Sequence, residues 1–277
     1  MLHIIKSYIN FIWNSKNEHG VHSPFVFDLV TKCFYDKTKY SEYQILNNYR
    51  NSLLANKNTI EVTDFGAGSR VFKSNIRQIS KIAQTAGISP KRAELLFRIV
   101  NYFQPESILE IGTSLGLATS ALSLGNKNSK LITLEGCPNT MAVTEKMFQV
   151  SSFKLPSNKI NFLTTEFSSY LKNSQFQASN FQLIYFDGNH SEKATLEYFE
   201  LLLPTITNDS VWIFDDIHWS AEMENAWKII KKHPKVKVTI DTFQWGIVFF
   251  RVEQEKEHFV INPFKNWSSH LFERIKI

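Results

Sequence analysis

Apolar residues recur along this chain in two rhythms, and the change between them falls near residue 86. The first is helical. Leu2, Ile5, Ile9 and Ile12 form a stripe at helical spacing, with Tyr8 and Trp13 beside it. Ser23-Pro24 predicts a helix start, with serine as N-cap and proline at the first helical position. Ser41, with Gln44 three residues on, predicts a capping box. Residues 60–72 interrupt the pattern with Ile60, Val62 and Phe65, then Gly66-Ala67-Gly68. A further helix is expected over 73–85, with Ile76, Ile79 and Ile82 on one face. Residues 1–85 thus read as a mainly helical N-terminal extension.

From Ser89-Pro90 onward, helices and strands alternate. Leu95, Leu96, Ile99, Val100 and Phe103 mark a helical face. Short apolar runs predict strands at 107–111, 130–135, 160–164, 181–186, 210–214, 236–241 and 245–251. Helical stretches separate the first five, which implies βαβ crossovers and a parallel sheet covered on both faces. Only Thr242-Phe243-Gln244 lies between the last two strands, so they must form an antiparallel hairpin. The expected fold is α/β: a seven-stranded, mostly parallel sheet with a C-terminal antiparallel hairpin, filling residues 86–277.

Composition narrows the setting. A formal charge of +5 admits acidic partners, but the basic residues are scattered apart from Lys228, Lys231, Lys232, Lys235 and Lys237. Two cysteines, Cys33 and Cys137, are too few for a disulfide framework. No run approaches the roughly 18 apolar residues of a spanning helix, and the start lacks the features of a secretion signal. A cytoplasmic protein is expected. The N-terminal stripe is expected to pack on the body of the protein or on a second copy, which leaves a homodimer open.

The most telling segment is Ser107-Ile108-Leu109-Glu110-Ile111-Gly112-Thr113-Ser114-Leu115-Gly116. An apolar run ends in an acid and opens into a loop with two glycines. This is how a buried parallel strand meets a nucleotide-type ligand at its carboxyl end. Gly112 permits a close backbone approach, and Gly116 is expected to let the next helix begin against the ligand. A second segment, Val62-Thr63-Asp64-Phe65-Gly66-Ala67-Gly68, has a tighter acid-glycine pattern. Context favours the first. Only after Glu110 does another strand end in an acid about 20 residues later, at Glu135, where a carboxylate accepts both hydroxyls of a ribose. The spacing Gly112-x-x-x-Gly116 departs from the dinucleotide pattern and favours a ligand without a pyrophosphate.

Over residues 89–251 the chain resembles the class I S-adenosylmethionine-dependent methyltransferases, whose sheet is Rossmann-like. Glu110, Gly112 and Gly116 stand at that family's first motif, and Glu135 at its ribose-binding acid. The resemblance implies S-adenosylmethionine as cofactor. Thr165 and Glu166 stand where the family contacts adenine. Ala118 stands near a serine that catechol-type members direct toward the methionine carboxylate, a role open here to Thr113, Ser114 or Thr119.

Two more strand ends carry acids: Phe186-Asp187-Gly188-Asn189-His190 and Phe214-Asp215-Asp216. Acids converging there repel unless a cation joins them, and an oxygen donor set suits Mg²⁺, Mn²⁺ or Ca²⁺ rather than zinc. The pattern resembles the metal-dependent O-methyltransferases of the catechol, caffeoyl-coenzyme A and sugar types. That resemblance implies Asp187, Asp215 and Asp216 as ligands of a divalent cation and His190 as the base. The expected reaction is methyl transfer to a hydroxyl of a small molecule.

Other readings stay open. Nucleic-acid methylation fits the positive charge, but the Asn-Pro-Pro-aromatic motif of amino-methylating enzymes is missing after the fourth strand, and Asn262-Pro263-Phe264 is incomplete and misplaced. A non-catalytic S-adenosylmethionine-binding module and an NAD-dependent oxidoreductase are further alternatives. Trp219, Met223, Trp227 and Ile230 are expected to be core, His218 a polar surface residue, and Phe243 and Trp245 sheet-packing residues. His19 and His22 flank a helix start and are candidates for the acceptor pocket or a metal.

Overall fold

A computed structural model describes residues 2–63, 72–173 and 180–264. Its centre is an eight-stranded sheet. The strands are β3 (Ser107–Ile111), β4 (Lys130–Glu135), β5 (Ile160–Thr164), β6 (Leu183–Phe186), β7 (Val211–Asp215), β8 (Val238–Asp241), β9 (Trp245–Phe249) and β10 (Glu257–Val260). Their order is β10-β8-β9-β7-β6-β3-β4-β5. Strands β3 to β7 run parallel, while β9 is antiparallel to both β7 and β8. Strand order reverses between β3 and β6, and in such sheets ligands bind in the crevice at that switch point.

The expected seven strands become eight because β10 adds to β8 in parallel at the edge. Glu257 and His258 are exposed there, and Phe259 is the strand's one fully buried side chain, so the segment has too little apolar rhythm to announce itself. A Thr239–His258 contact of 2.8 Å and a bond from the Lys16 N–H to the Val260 carbonyl hold the edge.

Side-chain alternation assigns the two faces. Ile108, Leu183, Tyr185, Val211 and Ile213 pack on one face, under α3 (Glu42–Ala55), α5 (Pro90–Phe103) and α6 (Leu117–Gly125). Leu109, Ile184, Phe186, Trp212 and Phe214 pack on the other, under α8 (Phe167–Leu171), α9 (Glu192–Leu202) and α10 (Ala221–Lys232). Phe186 and Phe214 stack there with ring centroids 4.1 Å apart. Trp227 and Ile230 are core as expected. The same parity directs Glu110 and Asp215 toward the α5 side.

The N-terminal part contains α1 (Leu2–Asn14), α2 (Pro24–Leu29), α3, a hairpin of β1 (Thr59–Glu61) with β2 (Ile76–Gln78), and α4 (Ile79–Thr85). Ser23 and Ser89 cap α2 and α5 as expected. Ser41 does not form the expected capping box: its backbone is already helical and its hydroxyl donates to Glu42. The helix expected over 73–85 starts only at Ile79, because Ile76–Gln78 pairs with β1 first. On α1, Ser7 and Phe11 face the body, and Tyr8 and Phe11 pack on Phe243. Leu2, Ile5, Ile9 and Trp13 stay exposed, so most of the predicted stripe does not meet the body. No helix among the described residues is long and apolar enough to cross a membrane.

Candidate active site

The loop after β3 is shaped by contacts that admit no side chain at two positions. Gly112 has φ +104°, and a Cβ there would lie 2.4 Å from the Asp187 carbonyl oxygen. The loops after β3 and β6 are therefore in backbone contact, and the Asp187 N–H donates to the Ile111 carbonyl at 2.8 Å. Gly116, at φ +72°, is closed in by Phe148, Thr144 and the Tyr49 hydroxyl. Its tight side faces protein rather than the expected ligand. Tyr49 of α3 is fully buried and donates to the Leu115 carbonyl at 2.8 Å, which fixes the loop from the N-terminal extension. Ser114, Asn189 and Asp216 adopt left-handed backbone angles at the ends of β3, β6 and β7. Such conformations concentrate where a site constrains the chain.

Glu135, at the end of β4, closes onto this loop. Its carboxylate accepts the Ser114 N–H at 2.8 Å and the Cys137 N–H at 2.9 Å. Glu110 points into the interior and is fully buried. It accepts from Thr119 and Thr133 at 2.6 Å each, and Thr113 contacts Thr133 at 2.5 Å. Its second oxygen has no partner among the described residues. Burial pushes the Glu110 carboxyl up to about 8; the threonine bonds oppose this, and the nearby Glu135 charge adds to it. Thr165 follows β5, its N–H bonded to the Glu135 carbonyl. The Glu166 carboxylate caps α8 through the Ser168 and Ser169 N–H groups. The second glycine motif, from Asp64 to Gly68, lies outside the described residues.

Asp187 and Asp215 stand at the ends of adjacent strands. His190 Nε2 is 3.7 Å from Asp187, and their side chains are 28% and 17% exposed. Burial, with the Asp215 carboxylate beside it, pushes the Asp187 carboxyl well above its usual range. Sequence reasoning missed the residue that organises this corner. Arg92, in the first turn of α5, is 5% exposed and forms an ion pair with Asp215 through Nη2. The other Asp215 oxygen accepts from the buried Tyr185 hydroxyl at 3.3 Å, and the Asp216 N–H donates to Asp215 at 2.8 Å. The guanidinium lies 5.1 Å from the centre of the buried Trp245 ring. The available signal was positional: an arginine in the first turn of the helix that precedes β3.

This arrangement does not fit the expected divalent ion. Both Asp215 oxygens already accept protein hydrogen bonds, one of them from a cation. No three His, Cys, Asp or Glu side chains among the described residues form a metal-holding group. His218 instead contacts Asp241 at 2.9 Å and stacks on Phe243. His19 and His22 are exposed, His19 on the short turn Glu18–Gly20 and His22 just before α2.

Residues 109–217 match the family model described as "Methyltransferase domain". This segment is a methyltransferase domain. Among solved structures, an SAH-bound methyltransferase from Podospora anserina, PaMTH1, aligns over 83% of this chain and 97% of its own, at 11% identity and a TM-score of 0.55. An O-methyltransferase from Bacillus cereus in complex with SAH aligns over 77% of this chain and 92% of its own, at 17% identity and a TM-score of 0.51. No curated protein matches the sequence. The match begins at Leu109 and ends at Ile217, so the methyltransferase domain includes the glycine loop, Glu110, Glu135, Asp187, Asp215 and Asp216, but not Arg92 or Tyr49.

Proposed function

We propose that this protein binds S-adenosylmethionine at the β3 and β4 strand ends and methylates a hydroxyl of a small molecule held beside β6 and β7. One observation carries the reading: Glu135 is locked to the Ser114 N–H of the glycine loop, and that loop touches the main chain of Asp187. Cofactor and acceptor ends thus share one rigid backbone contact. The residues present suit the cofactor. In this reading a ribose diol donates to Glu135, Gly112 lets the loop close onto the Asp187 main chain, and Thr165 and Glu166 border the adenine end. Thr113 and Ser114 line the turn toward the methionine portion.

When bound, S-adenosylmethionine supplies a methyl carbon whose bond to sulfur breaks as the acceptor oxygen bonds to it, the electron pair returning to sulfur. In this reading His190 takes the acceptor's proton; its Nε2 lies 3.7 Å from an Asp187 oxygen at the end of β6. No step is assigned to a divalent ion. Calorimetry with S-adenosylmethionine and with NAD tests the reading. Binding of the first and not the second is expected, and failure to bind S-adenosylmethionine at millimolar concentration would overturn it.

A further inference from the structure

We propose that Arg92 takes the place of a divalent cation in this site, and that methyl transfer here needs no metal. The inference rests on the methyltransferase reading above. Acids at the ends of β6 and β7 require a positive partner, and the chain supplies one covalently. Arg92 and Asp215 are 5% and 4% exposed, so their charges meet with little water to screen them. The pairing is over-determined. Ser89 caps α5 and Pro90 opens it, placing Arg92 in the first turn. Asp215 is directed to the same side of the sheet by the alternation of β7. Trp245 covers the guanidinium, and Tyr185 holds the second Asp215 oxygen.

A planar, weakly hydrated guanidinium tolerates such burial better than an ammonium does. A divalent ion entering beside it would have to share Asp215 with the guanidinium, the Asp216 N–H and the Tyr185 hydroxyl. It would also face an unscreened positive charge. Arg92 is therefore a positioning residue: it fixes Asp215 and keeps cations out, while the acceptor proton is left to side chains alone.

The test is a Mn²⁺ titration of the full-length protein, followed by electron paramagnetic resonance, with and without S-adenosylmethionine. The wild type should bind no Mn²⁺ up to about millimolar concentration, and its melting temperature should not respond to EDTA or to added Mn²⁺. Arg92→Gln, which keeps a planar donor and removes the charge, should gain a Mn²⁺ site and a Mn²⁺-dependent rise in melting temperature. Arg92→Lys should not. Stoichiometric Mn²⁺ binding by the wild type would overturn the proposal even if every variant failed to fold. A folded Arg92→Gln that binds no Mn²⁺ would overturn the role given to Arg92. Loss of S-adenosylmethionine binding in the wild type would strike the methyltransferase reading instead, so the two failures are distinguishable.

Discussion

Arg92 and Asp215 lie 123 residues apart in sequence and form a buried ion pair at the carboxyl end of β7. The pair joins the helix that precedes the methyltransferase domain to the domain's last strand. Removing one partner leaves the other charge buried and uncompensated, which costs roughly 3–5 kcal/mol. Arg92→Ala and Asp215→Ala should each lower stability by about that much in urea unfolding. The double variant Arg92→Met/Asp215→Leu should recover most of the loss, since neither buried charge remains. Additive losses would mean that the two side chains are not coupled.

Glu135 carries the cofactor assignment. Hydrogen bonds to a charged group are worth about 1.5–3 kcal/mol, so Glu135→Ala should weaken S-adenosylmethionine binding roughly tenfold to a hundredfold. The folded state should also lose some stability, because the Glu135 carboxylate accepts the Ser114 and Cys137 N–H groups. Calorimetry reads the affinity, and an unchanged dissociation constant would remove Glu135 from the ribose site.

Much of this frame was legible in the sequence. The strand-end acids, the glycine loop and the hairpin are local patterns, and local patterns survive into the fold: β3, β4 and β5 have the expected bounds. What could not be read was long-range. β10 has too few apolar positions to stand out. The 73–85 segment holds isoleucines at helical spacing, yet Ile76 goes to a strand because Thr59–Glu61 is there to pair with it. Tyr49 and Arg92 look like ordinary helix residues until the topology brings α3 and α5 over the strand ends. The strand-end acids suggest a divalent ion in the sequence, whereas the Arg92–Asp215 contact spans 123 residues and leaves no local mark there.

Glu110 makes stability pH-dependent. Its ordinary carboxyl value is 4.5, and burial raises it to about 8 in the folded protein. A carboxyl raised on folding stabilises fully below its unfolded value, and that contribution is lost as pH rises through the folded value. Wild-type stability attributable to this group should therefore fall between about pH 4.5 and pH 8. Glu110→Gln keeps the shape and removes the charge, so its stability relative to wild type should climb across the same window. Denaturant unfolding at pH 5 and pH 8 checks it, and a pH-independent difference would mean that Glu110 is charged throughout.

As the proposed base, His190 sets which acceptors are feasible. A side-chain base with no metal beside it must draw the proton from a hydroxyl that releases it readily. A phenol ionises near pH 10, whereas a simple alcohol holds its proton far more tightly. In the presence of EDTA, phenolic acceptors should be methylated and sugar alcohols should not. With a phenolic acceptor, His190→Gln should lower kcat by about 10²–10⁴ while leaving S-adenosylmethionine affinity unchanged, because His190 lies at the end of β6, away from Glu135. A loss confined to KM would make His190 a binding group. Equal rates on phenols and sugars would show that proton removal does not limit the reaction, and the case for His190 as base would fall with it.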